Sequence, residues 1–153
     1  MASSHFTASI SERPVAEVES ALALSTIHGA DLRFHGVVRD QEEGRLLAGI
    51  EYSHYEAMAL KELCRIGEAM GSEFPGHLAF VHHVVGYVPA GMASILIRVQ
   101  TIHSAEAFEI CREYLKRIKT TVPIWKRAVF AEREPAASPL RRDGANPLRH
   151  REE

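Results

Sequence analysis

The chain has 153 residues, of which 46% are hydrophobic and 25% are charged, proportions that are ordinary for a soluble globular protein. This length accommodates one domain with tails, and the composition excludes collagen-like, fully disordered and coiled-coil proteins. The formal net charge of -2 argues against a general electrostatic attraction to nucleic acid.

The sequence contains no pattern typical of membrane insertion, secretion or a disulfide scaffold. No run approaches the roughly 20 apolar residues that cross a bilayer. The opening segment MASSHFTASISERP lacks a basic start followed by an apolar run, and two cysteines are too few for a disulfide framework. We therefore expect a cytoplasmic protein that binds neither membranes nor nucleic acids.

The ends of the chain differ in composition from its middle. Residues 131–153 hold three prolines, ten charged side chains and almost no large apolar ones. Such a segment buries too little surface to offset the entropy lost on ordering. We predict a flexible N-terminus over residues 1–12, a single domain over 13–130 and a disordered polar tail over 131–153.

Apolar residues recur with helical and strand periods in the first half of the chain, where Pro14 is placed to open a helix. The predicted elements are a helix with Val15, Val18 and Leu22 on one face, strands over residues 32–38 and 46–53, and a helix over residues 55–70. We expect the two strands to pair with each other.

The second half of the chain predicts a hairpin followed by a long helix. Residues 78–87 and 94–101 have strand character and flank a Pro-Ala-Gly turn, so we expect them to pair in antiparallel fashion. The helix covers Ala105 to Thr121, and Ser104 is its expected N-cap. Its predicted buried stripe consists of Phe108, Cys111, Leu115 and Ile118.

A row of basic side chains lies beside that apolar stripe, at Arg112, Lys116 and Lys119. Lys119 borders the buried face, where desolvation lowers a lysine pKa and favours a nucleophilic or proton-transferring amine. Pro123 ends the helix, and Trp125 is an expected apolar anchor immediately before Lys126. From spacing alone, a solvated helix face is the more common meaning of such a stripe.

Nine histidines raise the question of a metal site. His82 and His83 are neighbours on a predicted strand, so their side chains point to opposite faces and do not ligate one ion together. The sequence also lacks HExxH, CxxC, P-loop and GxGxxG motifs. We therefore predict no metal and no dinucleotide.

Several segments resemble the large subunit of molybdopterin synthase. They are FHGVVRD (34–40) with Gly44, IEYSHYEAMA (50–59), VHHVVGYVPAG (81–91), His103 with AEAFEIC (105–111), and IKTTVPIWKR (118–127). The resemblance implies an α+β fold of the hammerhead type without a metal or organic cofactor of its own. It also implies a homodimer in which each copy binds one small ubiquitin-like sulfur-carrier subunit, giving a heterotetramer.

The resemblance further implies an activity and a set of residues that perform it. The family converts cyclic pyranopterin monophosphate to the molybdopterin dithiolene, using sulfur from the thiocarboxylated C-terminus of the small subunit. By resemblance, Lys119 and Lys126 form the catalytic pair, and His103 reaches the pocket from the other copy. The remaining substrate-binding residues that it implies are Val37, Val38, Arg39 and Arg127.

Two positions depart from the family pattern, since His83 and Ser104 stand where the family usually has arginine. A non-catalytic paralogue that binds the sulfur carrier as a scaffold is therefore the alternative function. A small RNA-binding α+β domain would use the basic stripe, but few aromatic residues lie beside that stripe for base stacking.

Overall fold

The computed structural model describes residues 5–131. Its elements in chain order are β1 (His5–Ser11), α1 (Val15–Ser20), β2 (Ala30–Val37), β3 (Gln41–Glu42), β4 (Arg45–His54), α2 (Glu56–Glu73), β5 (Leu78–Val84), β6 (Gly86–Pro89), β7 (Ala93–Thr101), α3 (Ser104–Thr121) and β8 (Ile124–Phe130).

The strands form two sheets, and together with the helices they confirm the predicted α+β class. The first sheet has the order β1-β5-β7-β2, with β1 parallel to β5 and the other neighbours antiparallel. In the second sheet, β4 pairs in antiparallel fashion with β3, β6 and β8. Helices α2 and α3 pack against the first sheet and against each other.

The larger core lies between these two helices and the first sheet. Its fully buried side chains include Leu63 and Met70 from α2, Val81 and Ile97 from the sheet, and Tyr114 from α3. The helices bury these residues because the positions recur at three- and four-residue spacings and so share one helical face.

The buried phenol of Tyr114 is satisfied by a histidine. Its hydroxyl donates to His77 Nε2 at 2.6 Å, and His77 Nδ1–H donates to the carbonyl oxygen of Phe74, also at 2.6 Å. A carbonyl oxygen only accepts, so Nδ1 is the protonated nitrogen, and burial lowers the pKa of this imidazole. The polar tip of the tyrosine therefore enters the core with a partner.

The prediction of a flexible N-terminus is wrong for residues 5–11, which form β1 against β5. Phe6 stacks on Tyr114, with ring centroids 5.6 Å apart. The Phe6 ring occupies the space that a side chain at position 67 of α2 would fill. A Cβ added at Gly67 would lie 2.3 Å from the ring. The strand is thus held by core contacts that the N-terminal composition does not reveal. Residues 132–153 of the predicted tail lie outside the described residues.

The predicted pairing between the strands at 32–38 and 46–53 is wrong, although both strands exist. β2 is an edge strand of the first sheet and pairs with β7, whereas β4 is central to the second sheet. Strand patterning identifies a half-buried segment but does not name its partner, because the partner is chosen by long-range packing.

The predicted antiparallel pairing across the Pro-Ala-Gly turn is confirmed for residues 78–83 with 95–100. The strand does not continue to the turn, however. Gly86 has a φ of +84°, a conformation that favours glycine, and the chain leaves the first sheet there. Residues 86–89 therefore pair with β4 in the second sheet.

Helix α3 begins at Ser104 with His103 as its N-cap residue, and no side-chain hydrogen bond caps it. The expectation that Ser104 caps the helix is therefore wrong. The buried face is also rotated from the prediction, since Phe108 is 62% exposed while Tyr114 is fully buried. The hydroxyl of Tyr114 has a partner in His77, so this polar aromatic residue enters the core in place of Phe108.

An ion pair crosses the first sheet between β7 and β2. Arg98, only 5% exposed, donates from Nε and Nη2 to the two carboxylate oxygens of Asp31, at 3.0 and 2.8 Å. Arg33 also contacts this carboxylate. The hydrogen bonds from Arg98 lower the pKa of Asp31 to about 2.

Replacing Asp31 with asparagine removes its charge while nearly keeping its shape. We expect Asp31→Asn to lower the free energy of unfolding by about 2 kcal/mol at pH 7, because the buried guanidinium of Arg98 loses its counter-charge. Chemical denaturation measures the difference. Glu17→Gln removes the exposed ion pair with Arg13 and is the matched control, with an expected change below about 0.5 kcal/mol.

The advantage of the parental protein over Asp31→Asn also depends on pH. Because the pKa of Asp31 is depressed, its contribution is complete above the usual value of 3.8 and is lost as the pH falls through about 2. The stability difference between the two proteins is therefore expected to shrink over that interval. A difference that stayed constant down to about pH 2 would contradict the ion pair.

Candidate active site

A cavity of about 460 Å³ opens where β2, β4, β5, β7, α3 and β8 meet. Lys119 and Lys126 both line it, together with Tyr52, His83 and Val37. The structure thus brings together the two lysines singled out by the sequence, although they lie on a helix and on a strand.

The lysines reach the cavity through the geometry around Pro123. Lys119 lies in the last turn of α3, whose C-cap is Val122 with an extended backbone. The chain then runs into β8, where Lys126 is paired with Tyr52 of β4. The side chain of Lys119 is exposed rather than at the margin of burial, so it is a solvated group at the cavity wall.

The cavity contains no acidic counterpart for these lysines. Among the described residues, no Asp or Glu lines it, and the remaining lining groups are apolar or neutral at pH 7. Two ammonium groups without a carboxylate partner make an electropositive pocket, which attracts anionic ligands.

The residues of the FHGVVRD segment divide between three environments. Val37 lines the cavity. Val38 is 2% exposed in a second, smaller core that it shares with Leu47 and Leu96, and its backbone forms hydrogen bonds with Met92 and Gly91. Arg39 lies in a separate open depression formed by residues 39–44. The structure therefore places only the first of these three candidates in the cavity of a single chain.

His103 and Arg127 also lie outside the cavity of one chain. His103 is at the start of α3 and Lys119 is in its last turn, so most of an 18-residue helix separates them, about 24 Å at 1.5 Å per residue. Arg127 is next to Lys126 on β8, and successive strand side chains point to opposite faces.

His83, which the resemblance marks as a departure from a family arginine, also lines the cavity, although it is not among the predicted substrate-binding residues. It is 9% exposed, and its ring meets Tyr52 edge-on with centroids 5.1 Å apart. His83 Nδ1–H donates to the carbonyl oxygen of Val84 at 2.8 Å. Burial lowers the pKa of His83 to about 4, so the imidazole is neutral at pH 7. The adjacent His82 instead contacts Ser9 and the Arg13 carbonyl, on the opposite face.

The described part of the chain offers neither a metal-binding cluster nor a membrane-spanning helix. Between residues 5 and 131, no three His, Cys, Asp or Glu side chains are grouped so that they could hold a metal ion. None of the helices in this range combines the length and the apolarity that a membrane span needs.

The chain is similar in sequence and in fold to known proteins of one family. A molybdopterin synthase catalytic subunit of Oryza sativa subsp. indica is 39% identical over 107 residues, which cover 69% of this chain and 55% of the rice protein. The chain thus spans about half the length of that relative. A molybdopterin synthase catalytic subunit of Pyrococcus abyssi is 38% identical over 119 residues, covering 76% of this chain and 80% of the archaeal one.

A solved structure and a family model agree with these relatives. The crystal structure of molybdopterin synthase from Staphylococcus aureus superimposes with a TM-score of 0.74 at 29% identity, covering 81% of this chain and 91% of that one. The family model of the MoaE protein matches residues 10–121. Because this match includes most of the sequence, the chain belongs to the MoaE family.

Proposed function

We propose that this chain is the catalytic subunit of a molybdopterin synthase. It transfers sulfur from the thiocarboxylated C-terminus of a small ubiquitin-like subunit to cyclic pyranopterin monophosphate, forming the molybdopterin dithiolene. The observation that carries the proposal is the meeting of Lys119 and Lys126 in one cavity without a carboxylate, in a chain of the MoaE family.

The charge of the cavity suits both reactants. The pterin substrate carries a phosphate, and the tail of the small subunit ends in an anionic thiocarboxylate. Two ammonium groups attract and orient such anions by charge-assisted hydrogen bonds. The volume of about 460 Å³ lies within the range of small-molecule pockets.

The lysines have complementary roles in this proposal. The thiocarboxylate sulfur adds to a carbonyl-level carbon of the pterin side chain, and the oxygen of that carbon leaves as water, so that the small subunit is attached through an acyl–sulfur bond. A second thiocarboxylated small subunit supplies the second sulfur at the neighbouring carbon, where the oxygen bonded to that carbon departs in the same way. Attack on the acyl carbon, by water or transiently by the Lys119 amine, releases the tail and leaves the sulfur on the pterin. Lys126 stabilises the developing anion or moves a proton.

The remaining candidates belong to an assembled complex. His103 lies about 24 Å of helix away from Lys119, so it serves the pocket of a neighbouring copy in a homodimer. Val37 forms part of the pterin site, and buried Val38 supports the backbone beside it. Arg39 and Arg127 contribute to a rim that dimer formation and the small subunit complete.

Removing the amine of Lys119 tests the site. We expect Lys119→Ala to reduce sulfur transfer at least about 100-fold with the melting temperature unchanged, because the side chain is exposed but lines the cavity. Lys116→Ala is the matched control, since Lys116 is exposed on the same helix and is not among the lining residues. Mass spectrometry of the dithiolene product, made with purified thiocarboxylated small subunit, gives the rates. A folded Lys119→Ala protein with the parental rate would contradict the assignment.

The role of His103 is tested by complementation between two inactive variants. If His103 acts on the neighbouring copy, a dimer of one Lys119→Ala chain and one His103→Ala chain contains one intact pocket. Random exchange of subunits then restores up to about a quarter of the parental activity. Light scattering verifies the dimer. Absence of any restoration in verified mixed dimers would place His103 in the pocket of its own chain, and parental activity of His103→Ala alone would place it outside the mechanism.

A further inference from the structure

His83 has one ring nitrogen occupied and one exposed to the cavity. Nδ1–H is bound to the Val84 carbonyl, which fixes the tautomer and leaves Nε2 with its lone pair. Among residues 5–131, no buried side-chain nitrogen or oxygen lacks a hydrogen-bond partner. Nε2 makes no hydrogen bond within the described chain, so it is not one of the buried atoms. We therefore take Nε2 to be open to the cavity that His83 lines.

The other polar side chains that line the cavity with His83 all carry hydrogen-bond donors. Lys119 of α3 and Lys126 of β8 carry ammonium groups, and Tyr52 of β4 carries a phenol. His82 and His54 act electrostatically on the ring and disfavour its protonated form. The aromatic contact with Tyr52 and the bond to Val84 hold the ring in place. The cavity therefore has a fixed, neutral acceptor in addition to its two cations.

We propose that His83 Nε2 accepts a hydrogen bond from an N–H group of the bound heterocycle, and that His83 is thereby a specificity and positioning residue of the pocket. The inference rests on the proposed function, under which the heterocycle is a pterin with ring and amino N–H groups.

This acceptor determines the orientation of the substrate. Phosphate and thiocarboxylate oxygens present no proton to a neutral imidazole, so the anionic groups are excluded from Nε2 and bind at Lys119 and Lys126. The edge of the pterin that carries the N–H groups then lies at His83. The two ends of the substrate are distinguished because each fits only one part of the cavity.

Two substitutions of His83 test the roles of its two ring nitrogens separately. In asparagine, the amide nitrogen is as far from Cβ along the side chain as Nδ1, so His83→Asn keeps a donor for the Val84 carbonyl and lacks a group at Nε2. In glutamine, the amide oxygen reaches the distance of Nε2, so His83→Gln keeps an acceptor in the cavity and loses the bond to Val84. A structural role predicts rescue by asparagine, and a substrate contact predicts rescue by glutamine.

Calorimetric titration of the full chain with cyclic pyranopterin monophosphate gives the decisive measurement. We expect His83→Gln to bind within about threefold of the parental protein and His83→Asn to bind at least about tenfold more weakly. His83→Arg is expected to weaken pterin binding and strengthen binding of inorganic phosphate. Melting temperatures verify that each variant is folded.

Equal binding by His83→Asn and the parental protein, or equal losses in His83→Asn and His83→Gln, would overturn the inference. Sulfur transfer by the parental protein is measured separately. If the variants rank as expected in pterin affinity but the parental protein transfers no sulfur, the proposed function is refuted and the role of His83 as an acceptor stands. If the parental protein transfers sulfur but the variants rank differently in pterin affinity, the proposed function stands and the role of His83 is refuted. Absence of pterin binding by the parental protein would refute both.

Discussion

The pairing of β8 with β4 is the interaction on which the candidate site depends. After α3 ends, this antiparallel ladder carries the chain along the second sheet and sets Lys126 opposite Tyr52. Lys119 remains on α3, which is packed on the first sheet through Tyr114 and Ile118. The cavity is the space between these two attachments, so each lysine is positioned by a different sheet. Neither attachment alone would create the electropositive pocket.

The sequence reveals the helices well because their apolar spacing is local information. α2 and α3 are found within a few residues of their predicted bounds. Of the two predicted strand pairings, the one across a short turn is recovered and the one between residues 32–38 and 46–53 is not, because the pattern of a strand does not determine a partner that long-range packing selects. β8 was expected only as an apolar anchor. Trp125 is in fact 51% exposed and packs edge-on against Tyr55, and the strand is held mainly by backbone pairing.

The candidate site was likewise only partly predictable from the sequence. Lys119 and Lys126 are marked by their sequence context and by the family resemblance, and the fold brings them together. The resemblance also named Arg39 and Arg127, which a single chain keeps outside the cavity. His83 could not be read as a neutral acceptor from sequence, because its state depends on burial and on the Val84 carbonyl. The same residue type next to it, His82, has a structural role on the other face.

The parallel pairing of β1 with β5 constrains when β1 can fold during synthesis. Ser9 and His82 meet across this pair although 73 positions separate them, and at about 5–20 residues per second a ribosome needs roughly 4 to 15 seconds to supply the partner strand. During that time β1 has emerged but has nothing to pair with. Thr7, Ser9 and Ser11 alternate with its apolar residues and keep the waiting segment polar on one side. β1 is thus synthesised well before its partner, and it can pair with β5 only after helix α2 is complete.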